Sequence, residues 1–429
     1  MSCECVSVRW RSLGNREMMS MLLSPFVHPS LRLYSSLTIR CGQAGGLLWS
    51  VSDHLQAKRT DGDNEVAHGE LWMFLLHQLL ASCKDSRQEV RDGAISTVFR
   101  SISTYGTTLS KATWDACMFE ITFPLVDALS SALVSHAPTR QVEGEQLVVQ
   151  VNGPPIRLIE KQWDDSKVLA LTSLGNVFVD YWSSKLIKTP RYEETWSTFV
   201  GLLKRSFVED RPQVATSAMK AFERVLKVSL EGVEEGRIAS SWEVAWTAWE
   251  EIGHSIASGS KSYTQINLES YVRVALPIYS SSHVTFDLAR IRRLLSILKD
   301  VLTFSSSPDY RPDIDTLTPV QASILEVLAA IKLEIPGAAS AVLTDLAEYL
   351  TLAFIAAFDS EVELPGRGAK PVQRVSYIAL SKEVMPHVLW LFQRFKEDSS
   401  IYEQGAVERM FAVRLHLTRS FAQTDFSCR

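Results

Sequence analysis

Three short stretches carry the residue types of phosphate, calcium and zinc chemistry, and each lacks the spacing that chemistry needs. Gly259-Ser-Lys-Ser262 has the glycine, lysine and hydroxyl of a phosphate-binding loop. Such a loop sets its lysine directly after the second glycine, beyond a strand, so that backbone N–H groups and the ammonium converge on one anion. Here Ser260 intervenes, and no strand signal precedes it. Asp61-Gly-Asp-Asn-Glu65 opens like a calcium loop, which needs glycine at its sixth position for the sharp turn and a bidentate glutamate at its twelfth. Those positions hold Val66 and Trp72, so the stretch reads as a surface linker. His68-Gly-Glu70 has no downstream Pro-Cys-x-x-Cys to complete a zinc deaminase site. There is no Gly-x-Ser-x-Gly elbow, and the nine histidines include no i, i+4 pair. The reading is of a chain with no catalytic residue, no metal site and no cofactor.

Two other groups carry binding chemistry rather than catalysis. Trp242, Trp246 and Trp249 stand at i, i+4 and i+7, on one face of a helix. They are either an aromatic core stripe or a partner-binding groove, since tryptophan is enriched at binding hot spots. Arg290, Arg292 and Arg293, with Lys299 further along, form a basic cluster on an amphipathic helix. That cluster is either a solvated helix face or a contact for anionic lipid or an acidic partner.

The elements that position these residues are helical almost throughout. Apolar periodicity predicts helices over 46–57, 69–83, 86–103, 111–134, 163–183, 192–207, 212–229, 238–257, 265–280, 284–303, 319–334, 337–357, 371–396 and 402–421. The one alternating run, Leu147–Val151, lies in a loop. Polar breaks rich in Gly, Pro or Ser fall at 60–68, 136–161, 229–236, 258–262, 305–316 and 359–370. Within this series a helix start recurs. Ser86-Arg-Gln-Glu-Val90 offers a capping box from Ser86 and Glu89, followed by the stripe Val90, Ala94, Ile95, Val98, Ile102. Asp210-Arg-Pro-Gln-Val214 repeats the pattern and leads into Val214, Ala218, Phe222 and Leu226. A third start, Thr318-Pro-Val-Gln321, puts proline at the first helical position and glutamine at the capping position, ahead of Val320, Ile324, Val327, Leu328 and Ile331. Recurring starts imply an all-α chain folded as a HEAT/armadillo-like α-solenoid of stacked helical hairpins. The expected organisation is a disordered or foreign leader over 1–45, a helical-repeat block over 46–304, a linker over 305–316 and a C-terminal helical block over 317–429. The Gly46–Leu55 helix is expected to cover part of the first block's end.

Composition narrows the function classes. Forty-four basic against forty-nine acidic residues give a net charge of −5, which argues against a general nucleic-acid binder. Six cysteines, Cys3, Cys5, Cys41, Cys83, Cys117 and Cys428, show neither a disulfide nor a zinc framework and read as reduced thiols. The most apolar window, Ala341 to Phe358, contains Asp345 and Glu348 and reads as a buried helix rather than a membrane span. Work at a membrane would then require recruitment.

Four segments in order, Leu47–Asp53, Asp85–Leu129, Leu317–Gln321 and Ser376-Tyr-Ile-Ala-Leu-Ser-Lys382, resemble the C-terminal region of the Mon-two (monensin-sensitivity) trafficking scaffolds. These are relatives of the large Sec-seven-type Arf exchange factors that lack the catalytic exchange domain. The resemblance covers most of the chain after about Gly45. It implies a non-enzymatic scaffold in Golgi–endosome vesicle traffic and protein transport. Such a scaffold is cytoplasmic and peripheral on trans-Golgi network and endosome membranes, and it associates with a Dopey-family protein, a phospholipid flippase and an Arf-like GTPase. Whole members of the family carry long N-terminal regions that this sequence lacks, so it is read as a fragment or a partial gene model. Two alternatives stay open: a regulator or exchange factor for an Arf-like GTPase, and an adaptor solenoid of the nuclear-transport kind.

Overall fold

A computed structural model describes residues 65–136, 156–259, 261–282, 286–304, 313–359, 375–403 and 405–408. The leader at 1–45, the Gly46–Leu55 helix, the Leu47–Asp53 segment, Leu147–Val151 and the predicted helix beyond 408 lie outside those residues. Every regular element among the described residues is helical. The chain divides into two compact units, Met1–Phe199 and Val200–Arg429.

In the first unit α1 (Glu65–Ser82) and α2 (Gln88–Tyr105) form a contacting pair. α3 (Lys111–Ala116) passes through a π-helical turn, Cys117–Thr122, into α4 (Phe123–His136). α5 (Ile156–Tyr181) packs on both α2 and α4. It begins seven residues before the predicted helix, inside the stretch read as a loop.

The start of α2 differs from the predicted capping box. Its N-cap is Arg87, with no side-chain cap bond. Ser86 lies one residue too early to reach the third helical N–H, and the carboxylate of Asp85 takes over. It accepts from the Arg87 backbone N–H at 2.9 Å and from the Arg87 guanidinium at 2.9 and 2.7 Å, an Asx-type turn that outcompetes the serine. The second anchor is Arg91, which is fully buried. Its Nη1 donates to the carbonyls of Asp85 (2.8 Å) and Ser86 (3.3 Å), its Nε to Ser166 Oγ (2.8 Å) and its Nη2 to the Gln162 carbonyl (3.1 Å). The guanidinium lies 3.8 Å from the centre of the Trp163 ring. Ala94, Ile95, Val98 and Ile102 are buried as the spacing predicts, and Val90 is half-buried.

Aromatic contacts fill the rest of this unit. Trp114 lies 4.9 Å from Tyr181 and donates to the Gly106 carbonyl at 3.1 Å. A Cβ on Gly106 would fall 2.7 Å from the Trp114 ring and 2.8 Å from that of Tyr181, so only glycine admits this approach. Trp182 and Trp196 stack at 4.5 Å.

α6 (Tyr192–Glu209) runs across the division between the units. The second unit continues with α7 (Pro212–Leu226), α8 (Glu235–Ala257), α9 (Gln265–Ser282), α10 (Leu288–Leu302), α11 (Pro319–Ala330), α12 (Ala338–Asp359), α13 (Ile378–Phe395) and α14 (Ser399–Glu403). Helices two apart in the chain are neighbours: α7 touches α9 and α9 touches α11, while α8 touches α10 and α10 touches α12. The contacts α9 to α11 and α10 to α12 span the 305–316 passage. α13 pairs with α12.

The capping expected at Asp210 is absent too. The N-cap of α7 is Arg211, without a side-chain bond, and Pro212 occupies the first turn. Lys261 supplies the missing joint from outside the motif. Its Nζ donates to the carbonyls of Phe207 (3.3 Å), Val208 (3.1 Å) and Asp210, so the lysine of the phosphate-loop look-alike ends one helix and braces the next. At α11 the predicted capping box forms as expected. Gln321 N donates to Thr318 Oγ1 at 3.2 Å, and Thr318 N donates to Gln321 Oε1 at 2.9 Å.

Candidate partner-binding surfaces

α8 owes its orientation to its tryptophans. Trp242, Trp246 and Trp249 are buried, with 5%, 3% and 0% of their area exposed, so they form a core stripe and line no open groove. Trp249 lies parallel to Tyr271 of α9 at 5.0 Å, and the pair exchange hydrogen bonds: Trp249 Nε1 to the Tyr271 carbonyl (3.2 Å) and Tyr271 Oη to the Trp249 carbonyl (2.8 Å). Trp246 packs at 5.4 Å on Trp249 and at 4.9 Å on Phe286. The reason is steric. Gly253, one turn after Trp249, has no Cβ, which would otherwise sit 2.5 Å from Ile297 and 2.6 Å from Tyr271 Oη, and α9 and α10 therefore close down on this face.

The arginine cluster sits at the start of α10, whose N-cap Asp287 accepts from Arg290 N at 2.8 Å. It is not an uncompensated basic patch. Arg290 pairs with Glu243 at 2.7 Å and Arg293 with Glu250 at 3.1 Å, both acceptors on α8, while Arg292 is exposed. Similar pairs link the neighbouring helices: Lys204 of α6 with Glu251 of α8 at 2.6 Å, and Lys299 of α10 with Glu348 of α12. The result is a ladder of alternating charge over four helices. Exposed pairs of this sort contribute only about 0–1 kcal/mol each, so the ladder defines a polar surface more than it holds the fold. On the other row, Glu223 of α7 receives Lys227 (2.7 Å) and Arg273 of α9 (3.2 Å). Burial pushes its carboxyl up, but the hydrogen bonds and charges of Lys227 and Arg273 outweigh that and leave it below the ordinary value.

Groups able to do covalent chemistry are tied into structure. Cys83 and Cys117 are buried, and burial pushes both thiols up to about 12, which removes the thiolate at neutral pH. Burial lowers the Lys261 ammonium, whose protons serve the three carbonyls already named. Among the described residues no three His, Cys, Asp or Glu side chains converge as a metal site, and no helix is long and apolar enough to cross a membrane.

The sequence reading missed a feature of α13. This helix buries Ala379, Leu380, Val384, Val388 and Leu391 where it packs on α12. Ile378, Met385 and Leu389, at i, i+7 and i+11, face outward with Trp390 beside them. Leu389 and Trp390 keep 49% and 50% of their area in solvent. The signal was present: the run Val-Leu-Trp-Leu-Phe over 388–392 is apolar on both sides of a helix, which marks an element meant to be covered twice.

A family model for the C-terminal region of Mon2 protein matches residues 63–295, more than half of the chain. The chain belongs to the Mon2 family. Among its relatives, a Drosophila melanogaster protein named Protein MON2 homolog is 25% identical over 304 residues, covering 62% of this chain and 18% of the relative. Monensin-resistant homolog 2 of Caenorhabditis elegans is 23% identical over 231 residues (49% and 14%), and the Xenopus laevis MON2 homolog 20% over 386 residues (68% and 22%). The chain thus spans at most about a fifth of the Mon2 relatives' length. No solved structure matches it.

Two of the segments that carried the Mon2 resemblance meet in space, at Asp313. Its carboxylate accepts from Gln321 Nε2 (2.7 Å), Ser376 N (2.9 Å), Ser376 Oγ (2.8 Å) and Tyr377 N (2.9 Å), and its carbonyl accepts from Ala379 N (2.8 Å). Asp313 is buried, and it holds Tyr377 at a φ of 53°, a left-handed conformation rare for a bulky residue. The joint fixes α11 and the start of α13 relative to each other.

Proposed function

We propose that this chain is a non-enzymatic scaffold of Golgi–endosome vesicle traffic and protein transport, built as a HEAT/armadillo-like solenoid with 46–304 and 317–429 as successive blocks. The observation that carries the reading is membership of the Mon2 family over residues 63–295. The i to i+2 neighbour pattern of α7 to α12 supports the solenoid, because each hairpin then buries its apolar face on the next. In this reading the chain sits on the cytoplasmic side of trans-Golgi network and endosome membranes, held there by protein partners. Those partners are a Dopey-family protein, a phospholipid flippase and an Arf-like GTPase. The charge ladder bearing Arg290, Arg292 and Arg293 is the surface offered to them. Paired charges of both signs suit reversible, orientation-specific contact, since complementary potentials set register and association rate more than affinity.

The test is proximity labelling and crosslinking of the tagged chain in cells, together with a nucleotide-release assay on the purified chain. Enrichment of Golgi and endosomal neighbours without any acceleration of release is expected. Recovery of nuclear-rim neighbours, or faster nucleotide release from an Arf-like GTPase, would overturn the scaffold reading.

A further inference from the structure

α13 is held differently at its start, its middle and its end. At the start, four bonds converge on Asp313: Ser376 N, Ser376 Oγ and Tyr377 N donate to its carboxylate, and Ala379 N to its carbonyl. Gln321 Nε2 grips the same carboxylate from α11. Lys382 Nζ donates to the Ile314 carbonyl (3.2 Å) and Tyr377 Oη to the Leu302 carbonyl (3.2 Å). These bonds keep Tyr377, the N-cap, at φ 53° and ψ 16°. A residue with a Cβ pays for that left-handed conformation, and it persists only where its surroundings over-determine it. In the middle, α13 buries Ala379, Leu380, Val384, Val388 and Leu391. Among the described residues α12 is its one substantial helix neighbour, whereas α9, α10 and α12 each pack on at least two helices. At the end, α14 stays on α12: Ser340 Oγ donates to the Ser400 carbonyl (3.1 Å), and Ile401 is buried. The turn joining α13 to α14 is closed by Asp398 N on the Phe395 carbonyl (2.9 Å) and by Ser400 N on Asp398 Oδ1 (2.9 Å).

We infer that α13 is a latched lid on α12, which opens as one helix about the turn at 396–398 when the Asp313 joint lets go. The latch is a single point, because one buried carboxylate gathers the ties of the first turn. It is also loaded. When those bonds break, Tyr377 relaxes to an ordinary backbone conformation, and the released strain favours opening by about tenfold. Met385, Leu389 and Trp390 are exposed with the lid closed, so opening bares only the stripe that faces α12. The face of α12 beneath is then an apolar surface that the latched state hides, and the pinned α14 keeps the lid close enough to shut again.

Hydrogen exchange on the full chain tests this. In the wild type the amides of α13 should share one opening, at least about tenfold more frequent than that of α10 and α12. Asp313→Asn should raise that shared rate by about another tenfold and leave α7 and α8 unchanged. Tyr377→Gly and Tyr377→Ala separate the loaded latch from the mere loss of a buried ring. Both lose the ring and its bond to Leu302, but only alanine has to hold a Cβ in the left-handed region, so its lid should open about fivefold more often. Equal rates in the two variants would refute the loaded latch. Exchange of α13 no faster than that of α10 and α12 in the wild type would overturn the lid itself, and this measurement needs no variant to fold. Fast exchange confined to 378–385 would place the break at Pro386, which lacks the N–H that continues the helix ladder, and would equally refute a lid that moves as one helix.

Discussion

Arg91 should be the most expensive single side chain to remove from the first unit. The guanidinium is fully buried, binds four acceptors (the carbonyls of Asp85, Ser86 and Gln162, and Ser166 Oγ) and lies over the Trp163 ring. A hydrogen bond to a charged group is worth about 1.5–3 kcal/mol, and an orphaned buried acceptor costs about 1–3 kcal/mol. The terms are not additive: the carbonyls of Asp85 and Ser86 are near solvent and recover water when Arg91 is lost. Counting the two bonds to α5, Ser166 and Gln162, as the ones with no substitute, Arg91→Ala should cost about 3–5 kcal/mol, the range seen when a buried polar network loses a central member. Arg91→Lys is the sharper test. Lysine keeps the charge but has neither the fork that reaches α2 and α5 together nor the plane that lies on Trp163, so it should still lose about 2 kcal/mol or more. Urea unfolding followed by hydrogen exchange of α2 and α5 reads the effect in the unit concerned. A loss under about 1 kcal/mol for Arg91→Lys would show that the charge alone suffices and would refute the geometric account of the joint.

Gly253→Ala should destabilise the second unit by about 1–3 kcal/mol despite the gain in helix propensity, because the new methyl meets Ile297 and Tyr271 at about 2.5 Å; thermal denaturation checks it. Asp313→Asn should cost a similar amount, about 1–3 kcal/mol, and should loosen the amides of Ser376 and Tyr377 first in hydrogen exchange, since these two donate to its carboxylate. Glu223 has a folded pKa below its ordinary value of 4.5, so its contribution is present above that value and fades as the pH falls through the lower, folded value. In Glu223→Gln the acid limb of a stability–pH profile should therefore be shallower, with the profile near neutrality displaced downward and parallel.

What was legible in the sequence follows from where the information resides. Helix positions were legible because apolar spacing is a local property: Ala94, Ile95, Val98 and Ile102, or Val214, Ala218, Phe222 and Leu226, lie where a 3.6-residue period puts them. The capping box at Thr318 was legible because both halves are within three residues. The starts at Ser86 and Asp210 were misread for the opposite reason. Their acceptors and donors come from outside the motif: at α2 from the Asp85 carboxylate just before it and from Arg91, which ties the start to the distant helix α5, and at α7 from Lys261, fifty-one residues beyond Asp210. A rule that looks three residues ahead cannot see a partner fifty residues away. The same limit governs the candidate surfaces. Nothing in the spacing of Trp242, Trp246 and Trp249 distinguishes a groove from a core; that was decided by Gly253, whose missing Cβ draws α9 and α10 over them. Nor does the cluster Arg290, Arg292 and Arg293 announce that Glu243 and Glu250 lie opposite, because those carboxylates stand on another helix. Charge in a stacked-helix protein is therefore best read between neighbouring helices. By that criterion Arg290 and Arg293, each facing a carboxylate on α8, form part of a neutralised inter-helix surface rather than a basic patch.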